Sequence, residues 1–268
     1  MNLSDVFTPR RVGDRFQLEV SPSWRQGRGA FGGLVIGAAI SAIEQQVADP
    51  TRKVRSVTAQ IPGPVEHGMV EIAVETLRQG KNVSTLRAAL SQHGEVRTHA
   101  VAIVAADRRL DPAAPGGGAE WNELQRPVAP AWTTVAPAPV GSLWPEFAQH
   151  FEYRVIEGVP GSGGAARVLG WVRPRVPEPH RTASYIAALI DAWLPAAFMR
   201  FSAVRPMATI AFTLDIVGGV DGLDPAVPLL YRSSAPVCGA GYSLETRELW
   251  SEDGRLVAIN HQTLAVIQ

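Results

Sequence analysis

Asp191 stands where an aliphatic residue is expected. It interrupts the run Ala183–Arg200, in which Tyr185, Ile186, Leu189, Ile190, Trp193, Leu194 and Phe198 cover most of a helical circumference. A helix that is apolar nearly all round is enclosed by protein, and a carboxylate enclosed with it is costly unless paired or hydrogen-bonded. Pro195 lies four residues further on and has no N–H for the Asp191 carbonyl, so the helix should kink or end there. Two readings of Asp191 stay open on spacing alone. It faces a rim or meets an arginine such as Arg200 or Arg205, or it is a buried carboxylate with a raised pKa, the usual form of a general base. Glu44 has a similar place on an earlier apolar run, Phe31–Val47, but sits with Gln45 and Gln46 near its polar end and is expected to be solvated.

Other chemistry finds little support. Gly27, Gly29 and Gly32 form a Gly-x-Gly-x-x-Gly string that opens a helix. A dinucleotide site needs a strand directly before it and a βαβ unit after it. Here Ser21-Pro22-Ser23 precedes and hairpins follow, and Asp49, at the right distance, lies in a turn before Pro50. The small residues are better explained by close approach to a helix start, whose free backbone N–H groups can face a carbonyl or an anion. No Gly-x-Ser-x-Gly elbow and no His-Glu-x-x-His pattern occurs, and Gly161-Ser162-Gly163-Gly164 reads as a flexible turn. His99 and His261 fall in strand candidates and read as ordinary sheet residues. Cys238 is the single cysteine, too few for an internal disulfide or a cysteine zinc site and suited to a reducing cytoplasm.

The elements that must position these residues come in two similar sets. The chain has 268 residues, 46% hydrophobic and 19% charged, with 25 Lys+Arg balancing 25 Asp+Glu. It is long enough for a large core, and its neutrality argues against nucleic acid as a partner. No apolar stretch is long enough for a membrane span, and the N-terminus is not patterned as a signal peptide. Between Asp107 and Pro145, Pro112, Pro115, Gly116-Gly117-Gly118, Pro127, Pro130, Pro137, Pro139 and Pro145 exclude regular structure, so 107–145 reads as a linker, packed through Trp121, Trp132 and Trp144.

Residues 1–106 give a strand at Arg15–Val20, the helix Phe31–Val47, then strands near Lys53–Ile61, Met69–Arg78, Val83–Gln92 and Val96–Ala106. Residues 146–268 give strands near His150–Ile156 and Ala165–Arg173, the helix Ala183–Arg200 with Thr182 as N-cap, then strands near Met207–Val217, Leu229–Pro236, Gly241–Ser251 and Arg255–Val266. Sliding the second set back by 160 positions lays Asp253-Gly254 on His93-Gly94, Arg247 on Arg87 and Ser251 on Ser91. The pattern predicts an α+β fold in which a curved antiparallel sheet wraps a buried helix, twice over.

With these residues in place, the chain resembles the acyl-CoA thioesterase II (TesB-like) family of double-hotdog thioesterases. The likeness runs through Gly29-Ala30-Phe31-Gly32-Gly33, Glu75-Thr76-Leu77-Arg78-Gln79-Gly80-Lys81-Asn82, Asp191, Met207-Ala208-Thr209-Ile210 and Gln262. It implies an Asp–Thr–Gln set, falling on Asp191, Thr209 and Gln262, that activates a water against an acyl-CoA thioester, with no cofactor and no metal. Gln262 slides back onto Ala102, so the C-terminal hotdog would be the catalytic half and the N-terminal one non-catalytic. The resemblance also implies fatty acid metabolism, and exposed outer strands suggest a homodimer.

Two alternatives follow the same fold: a non-catalytic acyl-CoA or lipid-binding module, and a hotdog hydratase or dehydratase. For the second, the Gly-Asp-x-Asn-Pro-x-His string such sequences carry does not occur here. Strand alternation also sets Thr209 with Thr213 and Asp215, opposite Ile210, Phe212, Leu214 and Ile216. Thr209 then points away from Asp191 unless a bulge, or a site between the two hotdogs, brings it round. Thr213 is the fallback hydroxyl.

Overall fold

The computed structural model describes residues 2–267 apart from 109–110, 112, 114–120, 142–143, 204 and 219. Pro112, Pro115 and Gly116-Gly117-Gly118 of the expected linker lie outside the described residues. A short helix, α1 (Leu3–Phe7), is followed by β1 (Arg10–Val12), β2 (Arg15–Val20) and the two-residue strands β3 (Arg25–Gln26) and β4 (Gly29–Ala30). Then come helix α2 (Gly32–Val47) and strands β5 (Arg52–Gln60), β6 (Gly68–Gln79), β7 (Val83–Gln92) and β8 (Glu95–Ala106). Further along are β9 (Phe151–Glu157), β10 (Arg167–Pro174), helix α3 (Ala183–Asp191), β11 (Met207–Ile216), β12 (Leu229–Gly239), β13 (Tyr242–Trp250) and β14 (Leu256–Val266).

Twelve strands make one sheet in the order β1-β2-β6-β7-β8-β5-β11-β14-β13-β12-β10-β9. Read outward from the centre, β5-β8-β7-β6-β2-β1 on one side matches β11-β14-β13-β12-β10-β9 on the other. The halves join where β5 and β11 pair antiparallel, Thr58 opposite Thr213 and Ser56 opposite Asp215. The fold is the expected α+β double hotdog, each helix lying against its own half of the sheet.

The helices also touch each other. Ser184 Oγ donates to the Gly37 carbonyl at 2.9 Å, and a Cβ at Gly33 would lie 3.0 Å from the Ala188 Cα, so α2 and α3 run antiparallel in close contact. Leu34, Ile36, Ile40 and Ile43 of α2, and Ile186, Leu189 and Ile190 of α3, are buried in one core that continues into Val57, Ile72, Phe212 and Leu214 of the sheet. Thr182 caps α3 as expected, its side chain accepting from the Tyr185 N–H.

Three expectations need correction. The helix starting at Ala183 ends at Asp191, not Arg200: the Ala192 N–H turns back to the Leu189 carbonyl, and after Pro195 the chain makes a separate 3₁₀ turn over Ala196–Met199. Trp132 and Trp144 pack, under the Arg154 and Arg173 guanidinium groups and against Tyr153, but Trp121 is 79% exposed. The repeat holds at 160 only on β14. Leu90 faces Thr98 as Leu249 faces Ala258, which puts Arg247 at the place of Ala88 rather than Arg87.

Candidate active site

α2 starts without a side-chain cap; its N-cap residue is Phe31. The free amides there are met instead by Asp191, the last residue of α3, whose carboxylate accepts from the Gly33 N–H. Glycine is required at this contact. A Cβ at Gly32 would lie 2.7 Å from Asp191 Oδ2, so any side chain there displaces the carboxylate. The close approach expected of the glycine string is thus made to a carboxylate of the other half.

Asp191 Oδ1 accepts from Gln262 Nε2 at 2.8 Å and from Arg247 Nη1 at 2.8 Å. The arginine that meets Asp191 is therefore neither Arg200 nor Arg205. Arg247 also donates through Nε to Glu245 Oε1 at 2.9 Å, and the second Glu245 oxygen accepts from the Ala196 N–H at 2.9 Å. All three charged groups are buried, and together they carry one net negative charge. Burial pushes the Asp191 carboxyl above the usual carboxylate range, while the Arg247 charge and the Gln262, Arg247 and Gly33 hydrogen bonds pull it back. The Arg247 guanidinium is held still more firmly in its charged form by Glu245, Tyr231 and Asp191, against burial, which acts the other way.

The Gln262 carboxamide is fixed at both ends. Its Nε2 donates to Asp191 and to Asn260 Oδ1 at 3.0 Å, and its Oε1 accepts from Thr209 Oγ1 at 2.8 Å. Thr209 reaches this face because β11 is bulged. Thr209 pairs with Leu264, yet Ala211 pairs with Thr263 and Phe212 with Gln262, so one extra residue turns Thr209 onto the inward face. Thr213, opposite the exposed His261, points outward, away from Gln262. The structure brings Asp191, Thr209 and Gln262 into one hydrogen-bonded chain.

Arg247, Glu245 and Asn260 were not singled out from the sequence. The available signal was a pair of opposite charges two residues apart, Glu245 and Arg247, in step with Leu249 on one face of β13. Glu44 departs from expectation as well. It is half-buried, and burial pushes its carboxyl up to about 7, with Lys53 lowering and Asp221 raising it.

Cavities open beside these elements, two of them near the helix starts and turns around the site. One, of about 400 Å³, lies over Gly29 and Ala30 before α2 and is flanked by Arg25, Arg28 and His67. The other, of about 550 Å³, lies beside Ala197, Phe201, Ala235 and Arg200. Among the described residues no group of three or more His, Cys, Asp or Glu side chains could hold a metal ion. No helix there is long and apolar enough to cross a membrane.

The arrangement is a buried carboxylate held by an arginine and by an amide that is itself bonded to a hydroxyl, and the sequence comparison gives the family of the chain. Residues 20–106 match the acyl-CoA thioesterase N-terminal domain and residues 123–266 the acyl-CoA thioesterase C-terminal domain. The chain belongs to the acyl-CoA thioesterase family. It is a thioester hydrolase. No curated protein matches it.

Solved structures similar to it include a hot dog fold protein of unknown function from Alicyclobacillus acidocaldarius, 22% identical, with TM-score 0.89 over 99% of this chain and 98% of that one. The tesB protein of Mycobacterium avium subs paratuberculosis is 22% identical, with TM-score 0.80 over 99% and 98%. The acyl-CoA thioesterase II TesB2 of Mycobacterium marinum is 19% identical, with TM-score 0.74 over the same shares. At these identities the likeness is one of fold.

Proposed function

We propose that this acyl-CoA thioesterase hydrolyses fatty acyl-CoA by water activated at Asp191, with Thr209 and Gln262 orienting that water. The observation that carries the reading is the hydrogen-bonded chain Thr209–Gln262–Asp191, anchored at its Asp191 end both to Arg247 and to the start of α2. The ionised carboxylate takes a proton from water as the oxygen adds to the thioester carbonyl. The C–S bond then breaks, and the proton passes from Asp191 to the leaving sulfur, giving the free acid and CoA. A positioned base of this kind contributes about 10²–10⁴-fold. Backbone amides at the glycine-rich start of α2 are suited to hold the developing oxyanion.

By this reading 146–268 is the catalytic half and 1–106 completes the sheet and the site, with 107–145 as the connection. The protein acts in the cytoplasm in fatty acid metabolism, a setting that suits the free thiol of Cys238. It works as a homodimer, for which the outer strands and the exposed Val237, Tyr242 and Leu244 of β12 and β13 offer a surface; a monomeric mass in solution overturns that part. The decisive measurement is thiol release from short-, medium- and long-chain acyl-CoAs by wild type and Asp191→Asn. Turnover of at least one chain length by wild type, with a loss of about 10²-fold or more in the variant, is expected. Wild type that binds acyl-CoA but releases no thiol would establish the non-catalytic binding module instead.

A further inference from the structure

Both N–H groups of the Gln262 carboxamide are taken, one by Asp191 Oδ1 at 2.8 Å and the other by Asn260 Oδ1 at 3.0 Å. Its Oε1 accepts the Thr209 hydroxyl and keeps a second lone pair. A water oriented by Gln262 must therefore donate to Oε1. With its other proton toward Asp191, that water presents a lone pair, as an attacking oxygen must. Only one of the two orientations of the amide allows this. Turned over, Gln262 would set Oε1 against Asn260 Oδ1 and the Asp191 carboxylate, and its N–H groups toward Thr209 and the water.

An ionised Asp191 selects the productive orientation, because a carboxylate only accepts. A protonated Asp191 does not, since its O–H can donate to an amide oxygen. Asn260 has no such choice. Its Nδ2 donates to the Thr213 backbone carbonyl at 2.7 Å, which leaves Oδ1 facing Gln262, and a backbone carbonyl accepts at every pH. Alternation on β14 puts Asn260 and Gln262 on the inner face, both buried, with the exposed His261 between them. The fold itself needs neither amide. β5 has a bulge between Val54 and Ser56, as β11 has between Thr209 and Ala211, and there β8 carries Ala100 and Ala102 in the register of Asn260 and Gln262.

We propose that Asn260 is a positioning residue, which carries the polarity of the Thr213 carbonyl to Gln262 and holds Gln262 Oε1 toward the water in both forms of Asp191. Its part in turnover rests on the reading that Asp191 is the base. Asp191 changes form once in each cycle, when it takes the proton from water and before it gives that proton to sulfur. Over that interval Asn260 keeps the amide from turning, so the next water meets the same acceptor. Without Asn260, a protonated Asp191 gains a partner by turning the amide over and donating to Oε1, which favours the protonated form. The other groups that act on this carboxyl are Arg247 of β13, with Glu245 behind it, Tyr231 of β12 and Tyr153 of β9. A change at Asn260 leaves all of them in place.

The test compares the full chain with Asn260→Ala in two ways. The first follows the ¹³C resonance of the Asp191 carboxyl carbon against pH and needs no turnover. The midpoint should lie at higher pH in the variant than in wild type, and an unchanged or lower midpoint overturns the inference. The second is thiol release, in which kcat should fall by about tenfold or more while KM stays within about twofold. A loss of kcat with the midpoint unmoved is what a merely structural asparagine gives, and it too overturns the inference. If Asn260→Ala does not fold, Asn260→Asp takes its place. Its new carboxyl, while protonated, donates to Thr213 and accepts from Gln262 as the amide does, so its kcat relative to wild type should decline as pH rises. A ratio flat with pH counts against Asn260. Wild type that releases no thiol, with the midpoint still displaced in the variant, refutes the base reading and keeps the positioning.

Discussion

Asp191 must be ionised to take a proton, and its burial makes ionisation harder than for a free aspartate. The sign follows. Turnover should fall with decreasing pH through a midpoint above 3.8, the ordinary aspartate value, and a kcat/KM profile with its acid limb at or below that value would contradict the assignment. Arg247 has the opposite part, holding the carboxylate while shared with Glu245. Arg247→Leu strands two buried carboxylates and should cost about 3–5 kcal/mol in urea unfolding, far beyond what a surface arginine costs. Asp191 was legible because one charge in an apolar helix breaks a clear period. Arg247 was not: on β13 the residues Ser243, Glu245 and Arg247 alternate with Leu244, Thr246 and Glu248, so both faces carry polar groups and alternation names no inside.

At the scale of elements, the site depends on how two helix ends meet. Gly32→Ala adds one methyl group 2.7 Å from Asp191 Oδ2, with no backbone strain of its own. Thiol release should drop by about tenfold or more, as displacing a base by a fraction of an ångström does, while far-UV circular dichroism stays that of wild type. The other end of the helix pair carries Glu44, whose carboxyl is raised from 4.5 to about 7 in the folded chain. A raised carboxyl favours the neutral form, so its contribution to stability is whole below pH 4.5 and is lost as pH rises through 7. Glu44→Gln should therefore be more stable than wild type by about 1–3 kcal/mol at pH 8 and equal to it at pH 4, read from thermal melts at both values. Both helices could be read from their apolar periodicity, and Pro195 announced that the second would stop early. The bulge that turns Thr209 inward could not be read, since no glycine marks it and the extra residue exists only relative to the partner strand.

For the molecule as a whole, the order of the sheet explains why neither half is expected to stand alone. β5 and β11 are edges until they pair with each other, and α2 and α3 each leave one face for the other helix. Residues 2–106 expressed by themselves should self-associate through β5 and α2. Sedimentation that finds a stable folded monomer would show the central contact to be dispensable. The tandem plan was readable because turns and apolar runs recur in the same order on both sides of the proline-rich stretch. Its antiparallel meeting at β5 and β11, and hence the placing of a carboxylate from one half on a helix start of the other, depends on pairing between residues about 155 apart, which no local pattern records.

The matching bulges in β5 and β11 have a consequence for how such a protein can change. In an assembly of two identical subunits every substitution appears twice, so a residue that improves one site is forced on its twin. Joining the two copies in one polypeptide removes that tie. Here the kink in the backbone persists on both sides, while the hydroxyl that needs it, Thr209, has valine as its counterpart. With the reaction at Asp191, as proposed, one copy can keep it while the other varies around an unchanged frame.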